Sequence, residues 1–186
     1  MYAGHLDLSQ PLVWTVDDAL TAGQCEAYIR RFRSGSAELA PITGKEGMEV
    51  NLAVRNNTRV MWDDAAEADG LLARVAARVP ERLLGHRRCG ANPRLRIYRY
   101  APGERHGAHW DTVVELAGGV RSQLTLVFYL NEGFTGGETD FPELGQSIKP
   151  RTGRALLFQH RVLHEATEVR SGEKFVLRTD VLYRPE

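Results

Sequence analysis

The sequence predicts an α+β fold in which N-terminal helices support a jelly-roll β core. Apolar residues at helical spacing are confined to the first half of the chain. From Pro93 onward the chain turns to short runs with period-two alternation or β-branched and aromatic enrichment. Gly and Pro punctuate those runs, the pattern of many short strands closing into a barrel or jelly roll. With 186 residues, 42% apolar and 26% charged, the chain fits one domain spanning 1–186, with 1–92 as helical and β support and 93–186 as the core.

The elements follow in order. Thr21-Ala22-Gly23-Gln24 has the form of a capping box, and Cys25, Tyr28, Ile29 and Phe32 make one helical stripe before Gly35. Residues 48–54 and 58–62 read as extended chain. Asp63-Asp64 offers a cap for a second helix carrying Leu72, Val75 and Val79 on one face up to Pro80. In the core, residues 95–100 alternate, residues 124–130 form the strongest strand, and 146–149, 155–158 and 175–183 complete the set. Turns fall at 101–103, at 136–137, at Pro150 and Gly153, and at 171–172.

Composition excludes several classes. Lys+Arg and Asp+Glu both number 24, and zero net charge argues against a nucleic-acid partner, which asks for a basic excess. No run approaches the roughly 18 apolar residues of a membrane span, and the N-terminus lacks a basic-then-apolar leader, so neither membrane nor export is expected. Cys25 and Cys89 belong to no C-x-x-C pair; two buried free thiols in a reducing cytoplasm are expected. Oligomeric state has no signature here.

The chemistry concentrates in the histidines. In His109-Trp110-Asp111, residues i and i+2 of an extended segment share a face roughly 6–7 Å apart, close enough to chelate a divalent metal. An H-x-D alone recurs by chance on protein surfaces, but His164, with His160 as a competitor, adds a second imidazole after the 155–158 strand. Two histidines and one carboxylate leave three positions of an octahedron open, as in non-haem Fe(II) oxygenases. A structural zinc site wants four closed ligands, usually including cysteine, and neither cysteine is near in sequence.

The order of these motifs resembles the Fe(II)/2-oxoglutarate-dependent dioxygenases, specifically their prolyl 4-hydroxylase-like branch. The matching stretches are residues 97–103 (IYRYAPG), 109–111 (HWD), 126–131 (LVFYLN), 136–142 (GGETDFP) and 148–158 (IKPRTGRALLF), then His164 followed ten residues later by Lys174. The Cys25 helix and the segment Arg55-Asn56-Asn57-Thr58-Arg59 resemble the family's support more loosely. The resemblance implies a double-stranded β-helix core in which His109, Asp111 and His164 hold Fe(II). It implies 2-oxoglutarate and O2 as cosubstrates, with ascorbate as a supporting reductant. It also implies hydroxylation of an aliphatic C–H bond with release of succinate and CO2. Retention of Asp111 favours hydroxylation over halide transfer.

The same resemblance places Lys174 against the far (C5) carboxylate of 2-oxoglutarate, with a hydrogen bond from Tyr129, Tyr100 lining the pocket and Thr139 facing it. Lys174, Val176, Arg178 and Asp180 share one strand face, so Arg178 is the alternative partner; Lys174 is favoured because Ser171-Gly172-Glu173-Lys174 matches the branch. Arg178 would then touch substrate or pair with Asp180. The substrate stays open between a small molecule, an amino acid and a prolyl or peptidyl group, with specificity expected from residues 55–62, the 112–120 loop, Arg178 and Asp180.

Plainer readings apply to the rest. His106 either lines the pocket or is a solvated loop residue; His5 and His86 are expected on the surface; Arg55 and Arg59 reach the mouth of the site or form a solvated strand face. Two rival functions are a catalytically silent metal- and 2-oxoglutarate-binding sensor and a zinc hydrolase. An intact metal triad and cation speak against the first, and the lack of an H-E-x-x-H pairing against the second.

Overall fold

The period-two segments assemble into two antiparallel sheets that share an apolar layer. The computed structural model describes residues 5–44 and 47–186. The larger sheet runs in the order Val13–Val16, Ala155–Gln159, Arg121–Tyr129, Lys174–Pro185, Arg94–Tyr100, Thr58–Asp63, Glu38–Leu39, with His86–Ala91 also pairing to Lys174–Pro185 and Arg82–Leu83 beyond it. The smaller sheet runs Gln146–Ile148, Thr139–Phe141, His164–Ala166, His106–His109. Ile42–Gly44 pairs with Gly47–Glu49, and Thr135–Gly136 with Val169–Ser171.

Alternation on the strands sorts the core into two layers. Leu95, Ile97, Leu124, Leu126, Phe128 and Leu177 face helices α1 (Ala22–Ser34) and α2 (Ala65–Ala73), which contribute Cys25, Phe32, Leu71 and Leu72. Each such fully buried Leu or Phe contributes about 1.5–3 kcal/mol. Tyr98, Tyr100, Tyr129, Leu156, Phe158 and Val176 turn the other way and meet Phe141 of the smaller sheet. Register fixes that inner row: Lys174 lies opposite Tyr100, Val176 opposite Tyr98 and Arg178 opposite Arg96.

Helix α1 has the expected capping box, with the Gln24 N–H donating to Thr21 Oγ1 and the Thr21 N–H to Gln24 Oε1. Asp64 caps α2 by accepting from the Glu67 N–H at 2.9 Å. That helix ends at Ala73 rather than running to Pro80, and a short 3-10 turn, Ala76–Arg78, follows. Arg88 Nη1 donates to the Ala76 and Val79 carbonyls, both at 2.8 Å, which satisfies acceptors at the end of that turn. Val75 and Val79 are buried all the same.

Four expectations need correction. The extended stretch 48–54 is a strand only at its start, because the N–H groups of Val54 and Arg55 turn back onto the Asn51 carbonyl. Val13–Val16, a β-branched and aromatic run left unassigned from the sequence, and His86–Ala91 are also strands; the latter is mostly polar and gains its place by pairing along Lys174–Pro185. Cys89 is exposed, not buried, because it shares the outward face of that strand with Arg87. His86 is half-buried, its Nδ1 bonded to the Leu84 carbonyl and its Nε2 accepting from Arg121.

One glycine ties the two halves together. Gly153 has φ +80°, and a Cβ there would lie 2.1 Å from the Leu20 carbonyl oxygen. The Leu20 N–H in turn donates to the Gly153 carbonyl at 3.1 Å, so only a bare backbone lets the α1 entry segment dock on the sheet. No described helix is long and apolar enough to cross a membrane.

Candidate active site

The cross-strand pairing of His164 with His109 brings two imidazoles together at the mouth of the smaller sheet, their ring centroids 4.2 Å apart. Asp111 follows two residues after His109, fixed by its N–H donating to the His160 carbonyl at 3.1 Å. One ligand atom from each of His109, Asp111 and His164 lies within 4.8 Å of the others.

Hydrogen bonding sets the state of each ring. His109 Nδ1 sits 2.8 Å from the Gly107 carbonyl, and His164 Nδ1 3.0 Å from that of Val162. A carbonyl only accepts, so both Nδ1 atoms carry the proton and both Nε2 atoms present lone pairs. Those Nε2 atoms lie 3.7 Å and 3.6 Å from Asp111 Oδ1 and Oδ2, and His109 Nε2 is buried without a hydrogen-bond partner. Burial keeps the rings neutral, pushing His109 down to about 3 and lowering His164 likewise. Two lone pairs converging on a carboxylate repel unless a cation lies between them, so this donor set fits a divalent metal.

The carboxylate is held on both oxygens. Arg178 Nη1 donates to Asp111 Oδ1 at 2.8 Å and Thr125 Oγ1 to Oδ2 at 2.5 Å. Burial pushes the Asp111 pKa up, but the adjacent Arg178 guanidinium outweighs it and holds the carboxyl well below the usual range. Because Thr125 donates to Asp111, its oxygen accepts from His160 Nδ1 at 3.0 Å. His160 thus stands behind the carboxylate, outside the trio.

Arg178 is paired with two carboxylates, while its Nε is buried without a described partner. Its Nη2 meets Asp180 Oδ1 at 3.2 Å, while Asp180 Oδ2 takes Arg96 Nη1 at 3.4 Å and Asn92 Nδ2 at 3.2 Å. Asp180 is 2% exposed, so Asp180→Ala leaves two arginines without their shared counter-charge. Removing one partner of such a buried pair costs about 3–5 kcal/mol. Urea unfolding is expected to show that loss for Asp180→Ala and a smaller one for Asp180→Asn.

Lys174 contrasts with Arg178. It is 2% exposed at the closed end of the same cavity, its Nζ donating to the Gly137 carbonyl at 2.6 Å. Its ammonium lies 5.0 Å and 5.7 Å from the ring centroids of Tyr100 and Tyr129. No carboxylate is within ion-pair distance among the described residues, and burial pushes its pKa down to about 7. The Tyr129 hydroxyl shares a 2.7 Å hydrogen bond with Thr139 Oγ1, and burial pushes the Tyr100 phenol up to about 12. His109, His164, Tyr100, Tyr129, Thr139, Lys174 and Arg178 therefore line one cavity between the sheets.

Thr125 escaped the sequence reading, although counting back by twos from Tyr129 along an apolar strand lands on it. His106 is buried and stacks on His109 at 3.6 Å between ring centroids, so it is no solvated loop residue. Arg55 is also buried, whereas Arg59 pairs with Glu38 at 2.8 Å.

The profile of the 2OG-Fe(II) oxygenase superfamily matches residues 95–179, which contain every residue named for the cavity apart from Arg55. That segment is thus similar to the 2OG-Fe(II) oxygenase superfamily, and the chain is similar to prolyl 4-hydroxylases. A protein of Acanthamoeba polyphaga mimivirus that carries a prolyl 4-hydroxylase name is 35% identical over 101 residues, covering 44% of this chain and 41% of its own. Prolyl 4-hydroxylase 1 of Arabidopsis thaliana is 23% identical over 191 residues, covering 89% and 66%. A PKHD-type hydroxylase of Shewanella sp. (strain MR-7) is 32% identical over 133 residues, covering 65% and 59%. The chain thus spans 41–66% of the length of these curated relatives. Among solved structures, a Pseudomonas putida prolyl-4-hydroxylase superposes with TM-score 0.70 at 20% identity, covering 94% of this chain and 95% of that one. At that identity the match speaks for the fold alone.

Proposed function

We propose that this chain is an Fe(II)- and 2-oxoglutarate-dependent hydroxylase that acts on an aliphatic C–H bond and releases succinate and CO2. The observation that carries it is one cavity holding two neutral imidazoles, an anchored carboxylate and a buried lysine with no carboxylate partner among the described residues. His109, Asp111 and His164 would hold the iron, which when bound supplies dioxygen activation and chelation of the 2-oxo acid. Gly107 and Val162 keep both imidazoles in the tautomer that presents Nε2, and Arg178 and Thr125 fix the plane of the carboxylate. Lys174 would neutralise the far carboxylate of 2-oxoglutarate, with the Tyr129 and Thr139 hydroxyls beside it and Tyr100 closing the wall. The apolar Leu156, Phe158 and Val176 exclude water from the same space.

The reading includes a double-stranded β-helix as the topology of the two sheets, one domain over the whole chain, and a cytoplasmic setting suggested by unpaired Cys25 and Cys89. Relatives in the fold include a viral collagen prolyl hydroxylase and a Trichoplax adhaerens prolyl hydroxylase bound to a peptide of hypoxia inducible factor, so a peptidyl substrate is one option beside an amino acid or other small molecule. The test is succinate formation from 2-oxoglutarate under air, dependent on added Fe(II) and raised by substrate. Binding of metal and cosubstrate without any succinate would select a silent binding protein instead.

A further inference from the structure

Among the described residues the charged groups around the mouth of the cavity pair off, and one cation is left over. Arg59 meets Glu38 at 2.8 Å, Arg94 meets Asp63 at 3.0 Å, Arg96 meets Asp180 at 3.4 Å, and Arg178 meets Asp111 and Asp180. Lys174 is accounted for by the far carboxylate of the cosubstrate. Arg55 has no such partner among the described residues. Its Nε donates to Asn57 Oδ1 at 2.8 Å and its Nη1 to the Pro41 carbonyl at 3.3 Å, and the guanidinium also donates to the Tyr98 and Tyr100 hydroxyls, none of them a carboxylate. Its guanidinium carbon lies 4.6 Å from the Tyr98 ring centroid. Only 7% of Arg55 is exposed, and holding a guanidinium that deeply without an anion is costly.

The position of Arg55 says where the missing anion would sit. Its backbone bridges to His106, whose ring stacks on the His109 imidazole. Its side chain lines both the inner cavity and an outer cleft of about 690 Å3 that opens past Trp110 and Met61. It therefore stands at the junction between cosubstrate space and solvent, where a substrate must pass. The potential there is positive: burial alone would push the Tyr98 phenol up, yet Arg55, Arg96 and Arg178 together bring it below its ordinary value.

We propose that Arg55 receives a free carboxylate on the substrate, so that the substrate is a small carboxylic acid, such as an amino acid, rather than an interior residue of a polypeptide. The proposal rests on the cosubstrate reading above, which assigns Lys174 to 2-oxoglutarate. Asn57, Pro41 and the two tyrosine hydroxyls orient the guanidinium without a counter-charge, which a substrate carboxylate would supply. An internal peptide group is neutral and would leave Arg55 buried and unpaired. Arg55 is in this sense the residue that determines specificity.

Acetate, with acetamide as its neutral isostere, is the minimal probe. Protein is loaded with Mn(II) and saturated with 2-oxoglutarate so that Lys174 is occupied, and each probe is then titrated by calorimetry and thermal shift. Acetate is expected to bind and acetamide not. Arg55→Gln should weaken acetate about tenfold or more, the range of one charge-assisted hydrogen bond. Arg55→Lys, which keeps the charge and loses the fork, should restore part of the affinity and serves as the readout if Arg55→Gln does not fold. Equal binding of acetate and acetamide, or acetate affinity unchanged in both variants, overturns the proposal. Failure of 2-oxoglutarate to bind the wild-type protein in the loading step instead strikes the cosubstrate reading, and is seen before any acetate is added.

Discussion

His164→Ala is expected to lose metal binding and with it all succinate formation. The variant removes one of two Nε2 lone pairs and leaves Asp111 with His109 alone on its open side. Removing a mere supporting partner of a ligand typically costs about 10–100-fold in metal affinity or activity, so a ligand itself should cost at least about a hundredfold. His109→Ala should behave alike. His160→Ala is the discriminating control: it leaves all three ligands and loosens only the Thr125 hydroxyl behind Asp111, so its loss should fall within that 10–100-fold range. Titration with Co(II), followed by its visible absorption, measures all three without turnover. Retention of wild-type affinity in His164→Ala with loss in His160→Ala would move the ligand to His160.

Lys174→Met is expected to trade cosubstrate affinity for stability. Loss of the charge should weaken 2-oxoglutarate about 10–100-fold at pH 7 or below, as expected for a charge-assisted hydrogen bond. The protein without cosubstrate should become more stable, because an apolar side chain of similar length replaces a buried ammonium whose only hydrogen-bond acceptor is the Gly137 carbonyl. The pH dependence follows from a lysine whose pKa burial lowers from 10.5 to about 7 in the folded chain. Unfolded chain binds that proton more tightly, so this group's contribution makes the free protein more stable as pH rises from about 7 to 10.5, and is constant below 7. Cosubstrate affinity runs the other way. Only the ammonium pairs with a carboxylate, so affinity should be greatest below pH 7 and fall by up to about tenfold per unit above it. Lys174→Met should flatten both slopes. Calorimetric titrations of Mn(II)-loaded protein between pH 6 and 9 check the sign.

Much of this site was legible in the sequence because short-range geometry encodes it. Two-residue spacing in His109-Trp110-Asp111 and period-two facing along Lys174, Val176 and Arg178 are properties of extended chain, and the strand alternation that carries them also defined the inner layer of the core. What alternation does not encode is the partner. It placed Arg178 on the same face as Lys174 but was silent on Asp111 and Asp180 closing around its guanidinium, a contact between strands far apart in sequence. Thr125 and His160 were missed as props of the carboxylate for the same reason. The strand His86–Ala91 has no apolar pattern because backbone pairing to Lys174–Pro185 and Arg82–Leu83 holds it in the sheet. The second helix stops at Ala73, and Arg88, arriving from another strand, holds the 3-10 turn beyond it through the Ala76 and Val79 carbonyls, a contact no local pattern encodes.

The most direct test of the central claim is anaerobic addition of Fe(II) and then 2-oxoglutarate to the metal-free protein, read in the visible spectrum. Chelation of the 2-oxo acid by iron on His109, Asp111 and His164 predicts a weak charge-transfer band, absent in His164→Ala and shifted to higher cosubstrate concentration in Lys174→Met. Iron bound at the wild-type site with no band at saturating 2-oxoglutarate would contradict the account, because the cavity would then hold a metal without the cosubstrate its buried lysine is read to receive.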